Sequence, residues 1–532
     1  MSSISKQLRR SRFKEINSRL RKIEAEDVRS FLLAFGYFPE SHFLPGDFFT
    51  TEGLATPKNL KKIKKLKPSA REKDIPSFLL FPKSKYVVRA LGIPPLKNYI
   101  HLSNFIADNW KKFRKHLILK EGDQIIPYSY PLFFEGKKRS DVGINNYKIY
   151  SEIDIPRAIN EYRYCVFVDI KGFYPNIYTH ALAWALDPKT KRKKERNNTQ
   201  NWANNFDLAT RKLYKRRTKG LLIGPYTSDL AAELLLRSID GTLSKKLSEK
   251  KIKILGFRFK DDYALFCNDL DEADTIRKEL QYILNEYHLE VNENKTKVIH
   301  TDEFENKKTW KVEIEALKEE MTEAYEVVDE KGHIAINEKE LRLWLMKTQN
   351  LYETHNDEYI IKTFLGKLIK DGVSSISIVK NSTFSYPHNI GLGETYVSIY
   401  SIFSSLCKKV PSAWPLFLVF VCMCFKGATK SDIKEATKKF LNEIIKVAVR
   451  FDDSFLLIWT LYVLWRCEIK ITEVIKKLVK TNYKENWLAM SFIDVNVGKY
   501  SLNGLKLEIV NRSRRKLLPL SKVVSVFGYN NR

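Results

Sequence analysis

The chain has few cysteines, and none is spaced for zinc. Cys165, Cys267, Cys407, Cys422, Cys424 and Cys467 are scattered, mostly in apolar runs, with no CxxC pair among 532 residues. That pattern argues against a zinc site and fits buried, reduced thiols in a reducing cytoplasm. Long apolar runs are also missing. The two most apolar, Ala413–Phe425 (broken by Pro415) and Phe455–Trp465, fall well short of the ~20 residues a membrane-spanning helix needs. They read as core helices, and no membrane partner is expected. The N-terminal residues are polar and basic, without the apolar core of a secretory signal. Negative charge is the third deficit: 63 Asp and Glu against 92 Lys and Arg leave a net charge of +29. An excess that large points to a polyanionic partner, nucleic acid first, with acidic lipid or plain solubility as the bland alternatives.

What is present suits a globular protein of two or more domains, with 44% hydrophobic and 29% charged residues. Residues 1–75 form a basic N-terminal extension with a dense run at Lys58, Lys61, Lys62, Lys64, Lys65 and Lys67. Such a run is a solvated helix face or a clamp for backbone phosphates. Residues 76–308 mix strand-like and helical runs. Residues 309–532 carry apolar residues at helical spacing, as in Ile314–Val327, Glu338–Met346, Ile433–Val449, Phe455–Trp465 and Ile471–Val479. This last region is expected to be all-helical, with stacked helical pairs as one arrangement it allows, although no repeat period is visible.

Four short segments carry chemistry. Asp261 and Asp262 sit between the apolar runs Ile252–Phe259 and Tyr263–Cys267, which a tight turn would join as a hairpin. The dipeptide alone reads as a solvated turn. Asp169 lies near the end of a second apolar strand, Tyr164–Ile170, where a carboxylate is costly unless paired or metal-bound. If the two strands are neighbours, three carboxylates converge, enough to hold two magnesium ions. Between them lies Lys219–Ser228, whose Gly220 and Gly224 permit close approach of a ligand or template and lead into a helix from Asp229 to about Leu236. After the hairpin comes Asn292–Thr296, where Lys295 is a general-acid candidate or simply part of a Lys-rich surface turn.

In this order and spacing the segments resemble the palm of reverse transcriptases. Val168–Ile177 is similar to that family's first catalytic motif, Gly220–Ser228 to its glycine loop, Phe259-Lys260-Asp261-Asp262 to its aromatic-x-Asp-Asp motif and Asn292–Thr296 to its lysine motif. Upstream, Arg89–Pro94 is similar to the fingers segment whose arginine meets the triphosphate. The resemblance covers roughly residues 80–300. Tyr178–His180 with Trp184–Leu186, and the run Ala232–Asp240, resemble bacterial abortive-infection and related phage-defence reverse transcriptases. Members of that group join the polymerase to a HEAT-like helical domain. Some make DNA without a template from a protein tyrosine, and others work with a non-coding RNA and a partner enzyme. Neither a Val-Thr-Gly retron signature nor a histidine-cysteine nuclease segment is found.

The resemblance implies an α+β fold: right-hand polymerase fingers and palm, followed by the helical domain. It implies a cytoplasmic bacterial nucleotidyltransferase, RNA-directed or template-independent, that polymerises dNTPs in antiviral defence. The ligands of two Mg²⁺ (or Mn²⁺) would be Asp169, Ile170, Asp261 and Asp262. Lys295 would be the general acid, Arg89 the triphosphate clamp, Tyr174 the ring under the sugar, and Gly220 and Gly224 substrate-binding. The implied partners are dNTPs, a DNA product, an RNA template or non-coding RNA, and further copies of the chain or a companion defence protein. The chain departs from the pattern at Leu222-Ile223, where relatives carry proline then glutamine, and at Lys260, usually small or apolar. Strand alternation would point Lys260 away from Asp261. The alternative function is a degenerate polymerase fold that serves as a nucleic-acid-binding scaffold or sensor.

Overall fold

The computed structural model describes residues 3–40, 43–66, 75–130, 150–192, 194–195, 198–304, 310–372, 374–379, 391–502, 505–513, 520 and 523. Lys67 of the basic run in the N-terminal extension and the boundary drawn at 308 lie outside these residues. The protein opens with two helices, α1 (Ser3–Lys22) and α2 (Ala25–Phe35). A capping box starts α2: the Glu24 N–H donates to the Asp27 carboxylate at 2.8 Å, satisfying an otherwise orphaned amide. The fingers-like hairpin follows, β1 (Ser77–Ser84) against β2 (Val87–Ile93). Next come α3 (Leu96–Asp108), α4 (Trp110–Leu117) and the short strand β3 (Ile125–Pro127).

The site is built on a five-stranded sheet in the order β3-β5-β6-β4-β7. Its central strands, β4 (Tyr164–Asp169) and β6 (Asp262–Cys267), are rich in β-branched and aromatic residues. Consecutive residues of β6 from Tyr263 to Cys267 are buried, so both faces of the strand are covered. Between β4 and β6 the chain forms α5 (His180–Leu186), α6 (Trp202–Arg211), the long helix α7 (Tyr226–Glu249) and strand β5 (Leu255–Phe259). Helix α8 (Leu270–Glu286) packs on α7, β4 and β6, and β7 (Lys297–His300) completes the sheet. Helix α6 is capped by the Asn201 side chain and α8 by that of Asp269, each accepting main-chain amides of the first turn.

Beyond residue 309 the chain is mostly helical: α9 (Trp310–Ala324), α10 (Glu338–His355), α11 (Glu358–Gly372), α12 (Leu392–Lys409), α13 (Trp414–Gly427), α14 (Ser431–Arg450), α15 (Ser454–Arg466), α16 (Glu473–Asn482) and α17 (Trp487–Met490). The odd-numbered helices touch in one row, α9-α11-α13-α15-α17, and the even-numbered ones in another, α10-α12-α14-α16. That is the two-layer stacking of a helical solenoid. The region also holds short strands that helical periodicity did not announce. β8 (Glu326–Val327), β9 (Ile334–Asn337) and β10 (Ile376–Val379) form one small sheet, and β11 (Lys499–Leu502) pairs with β12 (Leu505–Glu508).

The last helices fold back onto the start of the chain. The Trp459 indole N–H donates to the Phe43 carbonyl at 3.1 Å, and Arg466 pairs with Asp47 at 2.7 Å. Phe48 stacks on Phe492 at 4.0 Å, and Phe81 of β1 meets Phe455 at 5.2 Å. Residues 43–51, β1 and α15 therefore share one buried interface. All six cysteines are buried and none is disulfide-bonded. No helix among the described residues is long and apolar enough to cross a membrane.

Candidate active site

Strand register brings the acids together. β4 and β6 run antiparallel with Asp169 opposite Asp262, and β5 pairs with β6 with Phe259 opposite Asp262. Lys260 and Asp261 are thus the two central residues of a tight hairpin turn. Lys260 has a φ of 53°, the left-handed value a two-residue hairpin turn requires at its first position. The Asp261 carbonyl accepts the Ile170 N–H at 3.2 Å, so the turn is tied to the residue that follows Asp169. Strand alternation does not apply to Lys260, because it lies in the turn. Its charge acts on Asp261, favouring the ionised carboxylate.

The lysine motif closes on the first acid. Lys295 Nζ donates to Asp169 Oδ2 at 2.8 Å, Asn292 Nδ2 donates to Oδ1 at 2.8 Å, and the Asn292 N–H donates to the Asp169 carbonyl at 2.7 Å. Burial opposes ionisation of Asp169, but hydrogen bonds from Lys295, Asn292 and Asp262 outweigh it and hold its pKa below the usual carboxylate range. Asp262 behaves oppositely. Burial, then the charge of Asp261 and the hydrogen bond to Asp169, push it up to about 7. Burial, followed by the charge of Asp169, also raises Asp261, against the pull of Lys260 and Lys295. Two carboxyls in contact share a proton unless a cation lies between them.

The donor set suits a hard divalent cation, being all oxygen and carboxylate-rich. The raised pKa values of Asp261 and Asp262 mark negative charge that such a cation would relieve. As arranged, no three His, Cys, Asp or Glu side chains among the described residues already form a metal cage. Lys295 supplies positive charge at Asp169 instead. Ile170 has an apolar side chain and can offer a cation only its main-chain carbonyl.

The glycine loop threads between two main chains. Gly220 has a φ of 91°, donates its N–H to the Ile177 carbonyl at 2.8 Å, and a Cβ there would lie 3.1 Å from the Pro175 carbonyl oxygen. Gly224 has a φ of 138°, and a Cβ there would lie 2.9 Å from the Gly92 carbonyl oxygen. The close approach these glycines permit is thus to the palm and the fingers hairpin themselves. Leu222 is buried against Gly92, which explains an apolar residue at that point of the loop.

Tyr174 and Arg89 have partners of their own. The Tyr174 hydroxyl donates to Asp229 at 2.6 Å, in the first turn of α7, and its carbonyl accepts the Leu221 N–H at 2.9 Å. Arg89 lies opposite Phe81 in β2, on the strand face it shares with the buried Leu79 and Leu91. Gly92, which touches the glycine loop, is on the other face. Sequence reasoning gave no site role to Asp229, Ser129, Arg258, Glu233 or Asp240. Only Arg258 gave a local signal, as a charge between two phenylalanines in a buried strand.

Residues 103–324 match the family model described as reverse transcriptase (RNA-dependent DNA polymerase). The chain carries a reverse-transcriptase domain, and the polymerase fold is that of this family. Arg89 lies upstream of the matched span. No curated protein matches the chain. Among solved structures it is similar to telomerase from Candida albicans in complex with a TWJ fragment of telomeric RNA, at 13% identity and a TM-score of 0.27, over 82% of this chain and 67% of that one. It is also similar to apo telomerase from Candida tropicalis, at 12% identity and a TM-score of 0.30, over 87% of this chain and 76% of that one.

Proposed function

We propose that this protein is a metal-dependent DNA polymerase that adds dNTPs to a growing strand, and that it serves bacterial anti-phage defence. The observation that carries the reading is the register pairing of Asp169 with Asp262, with Asp261 in the adjoining turn. Asp169, Asp261 and Asp262 would hold two magnesium ions, the main chain of Ile170 lying beside them. Bound there, the ions would supply Lewis acidity at the attacking hydroxyl and at the leaving pyrophosphate. Lys295 keeps its proton through its bond to Asp169, which raises its pKa, and can pass that proton to the leaving group. Asn292 fixes the Asp169 carboxylate from its other oxygen.

Basic residues flank the glycine loop. Arg217 lies 4.5 Å over the Tyr214 ring, and that ring packs on Phe78 of the fingers hairpin at 5.6 Å. Lys212, Lys215 and Arg216 belong to the turn that holds Tyr214, and Lys219 follows in a bridge to Tyr178. A surface of this kind suits phosphates of a template or product strand. The defence assignment rests on the resemblance at Tyr178–Leu186 and Ala232–Asp240 and on the two-row helical stack. Whether synthesis copies an RNA, or starts from a protein tyrosine without a template, belongs to the same proposal.

Incorporation of labelled dNTP with Mg²⁺, with and without added RNA, tests the activity. Asp169→Ala should abolish incorporation and protection of cells against phage together. Full incorporation by Asp169→Ala refutes the polymerase reading. Loss of incorporation with protection intact would favour the scaffold alternative.

A further inference from the structure

We propose that Ser129 is a positioning residue for the catalytic turn, acting with the buried pair Arg258–Glu233. The argument starts from a charge in an awkward place. Arg258 sits in β5 between Phe257 and Phe259 and is fully buried. A guanidinium there must be paired and hydrogen-bonded to be tolerated. Its partners come from α7: Nε donates to Asp240 Oδ2 at 2.9 Å and Nη1 to Glu233 Oε2 at 3.2 Å, with Nη2 on Glu233 Oε1. Glu233 and Asp240 are seven residues apart, two helical turns, and so lie on one face of α7. The Tyr263 hydroxyl adds a bond to Asp240 Oδ1 at 2.9 Å.

This cluster reaches the turn at its backbone. Ser129, just past β3, accepts the Lys260 N–H on Oγ at 2.8 Å and donates its hydroxyl to Glu233 Oε2 at 3.0 Å. Arg258 Nη1 donates to the Lys260 carbonyl at 3.1 Å. Both main-chain groups of Lys260 are thereby held by the buried cluster, and the Asp261 carbonyl is held by Ile170 from the other side. Lys260 needs this support, because a left-handed backbone is unfavourable for any residue with a side chain. A turn free to relax would carry Asp261 out of place, and sites of this type tolerate about 0.5 Å of error. Ser129 is the lightest member of the cluster. Without its hydroxyl, Arg258 and Glu233 remain paired and the sheet remains intact. The link to catalysis rests on the polymerase reading above; the geometry does not.

The test compares wild type with Ser129→Ala, Ser129→Thr, Arg258→Lys and Asp169→Ala. Each is followed by dNTP incorporation at varied Mg²⁺, by melting temperature, and by Mn²⁺ binding read from the free-ion spin-resonance signal. Ser129→Ala is expected to lower kcat about tenfold, in the range of one lost hydrogen bond, with KM for dNTP unchanged. Its Mn²⁺ affinity should fall several-fold, and its melting temperature should stay near wild type. Ser129→Thr, which keeps the hydroxyl, should restore kcat and Mn²⁺ binding. Arg258→Lys should share the kcat and Mn²⁺ defects, because an ammonium cannot bridge Glu233, Asp240 and the Lys260 carbonyl together. If Ser129→Ala matches wild type in both kcat and Mn²⁺ affinity while Asp169→Ala is inactive, the positioning role is overturned and the polymerase reading stands. If wild type itself does not incorporate dNTP, that reading falls, and the Mn²⁺ comparison decides the positioning role alone: equal affinity overturns it, and a several-fold loss reversed by Thr upholds it.

Discussion

The pair Asp47–Arg466 lets the unity of the molecule be tested with one substitution. The two residues are 419 positions apart, and their side chains are 1% and 4% exposed. The guanidinium donates to Asp47 Oδ2 at 2.7 Å, and the Tyr462 hydroxyl donates to the same oxygen at 2.9 Å. Arg466→Met keeps the apolar stem but leaves a buried carboxylate facing a hydroxyl. Removing one partner of a buried ion pair costs about 3–5 kcal/mol, a large part of the roughly 5–15 kcal/mol that holds a domain folded. Adding Asp47→Asn removes the stranded charge, so the double variant should recover more than about 2 kcal/mol of that loss. Urea unfolding followed by tryptophan fluorescence reads this directly, since Trp459 and Trp465 lie in α15 beside the pair. Loss of dNTP incorporation on heating should follow the same order among the variants. A shift below about 1 kcal/mol for Arg466→Met would refute the reasoning, as would a polymerase region that unfolds independently of the helical stack. On the same grounds, removing residues after 310 exposes Phe43, Phe48 and Phe81 and is expected to abolish polymerisation by unfolding the fingers.

Two further predictions concern single side chains. His116 is held near a pKa of about 4 by burial, with Arg237 and Lys120 adding to the shift and the bond to the Leu234 carbonyl opposing it. Its folded pKa is below its unfolded one, so its contribution is complete above pH 6.5 and is lost as pH falls toward 4, by about 3 kcal/mol in all. Unfolding curves over that window should flatten in His116→Gln, and an unchanged slope would count against it. Asp229→Ala and Tyr174→Phe each remove the 2.6 Å bond that fixes the Tyr174 ring. Each is expected to reduce discrimination between dNTP and rNTP about tenfold, in line with a hydrogen bond to a charged group. Ratios equal to wild type in both variants would show that this bond does not hold the ring in place.

The parts of the site that could be read from the chain are those with local signatures. Asp169 ends a five-residue apolar run, and Asp261 and Asp262 interrupt another, so strand, turn and strand follow from composition alone. Lys295 was different. Its loop looks like any lysine-rich turn, so its position after the hairpin made it a candidate only beside that bland alternative, until the resemblance and then the 2.8 Å contact with Asp169 favoured it. Helix α7 was expected to end near Leu236 but runs to Glu249. Glu233, Arg237, Asp240 and Ser244 are buried polar residues, so they mask the apolar periodicity that would have extended it. The strands β8 to β12 span two to four residues each, too short for alternation to register. Arg89 was singled out by the resemblance alone; its place opposite Phe81 follows from the register of β1 on β2, and the face it takes depends on packing against α15, which no local pattern encodes.

The acid cluster carries its own counter-ions, and that is the consequence of Lys260 and Lys295 together. Three carboxylates at the ends of neighbouring strands would repel one another strongly if all were ionised with nothing between them. The protein meets this in two ways. Lys295 neutralises Asp169, which stays ionised, and the burden passes to Asp262, which holds a proton up to about pH 7. A divalent cation entering such a site would have to displace a proton from Asp262 and compete with Lys295 at Asp169, so its binding would be linked to both. Lys260 adds a third positive charge to that competition, fixed in the turn by its left-handed backbone and by Ser129. A small or apolar residue in its place would leave cation binding opposed by Lys295 and the Asp262 proton. The turn's backbone cluster and its lysine therefore act on the same quantity from opposite sides, one by holding Asp261 still and the other by offsetting its charge.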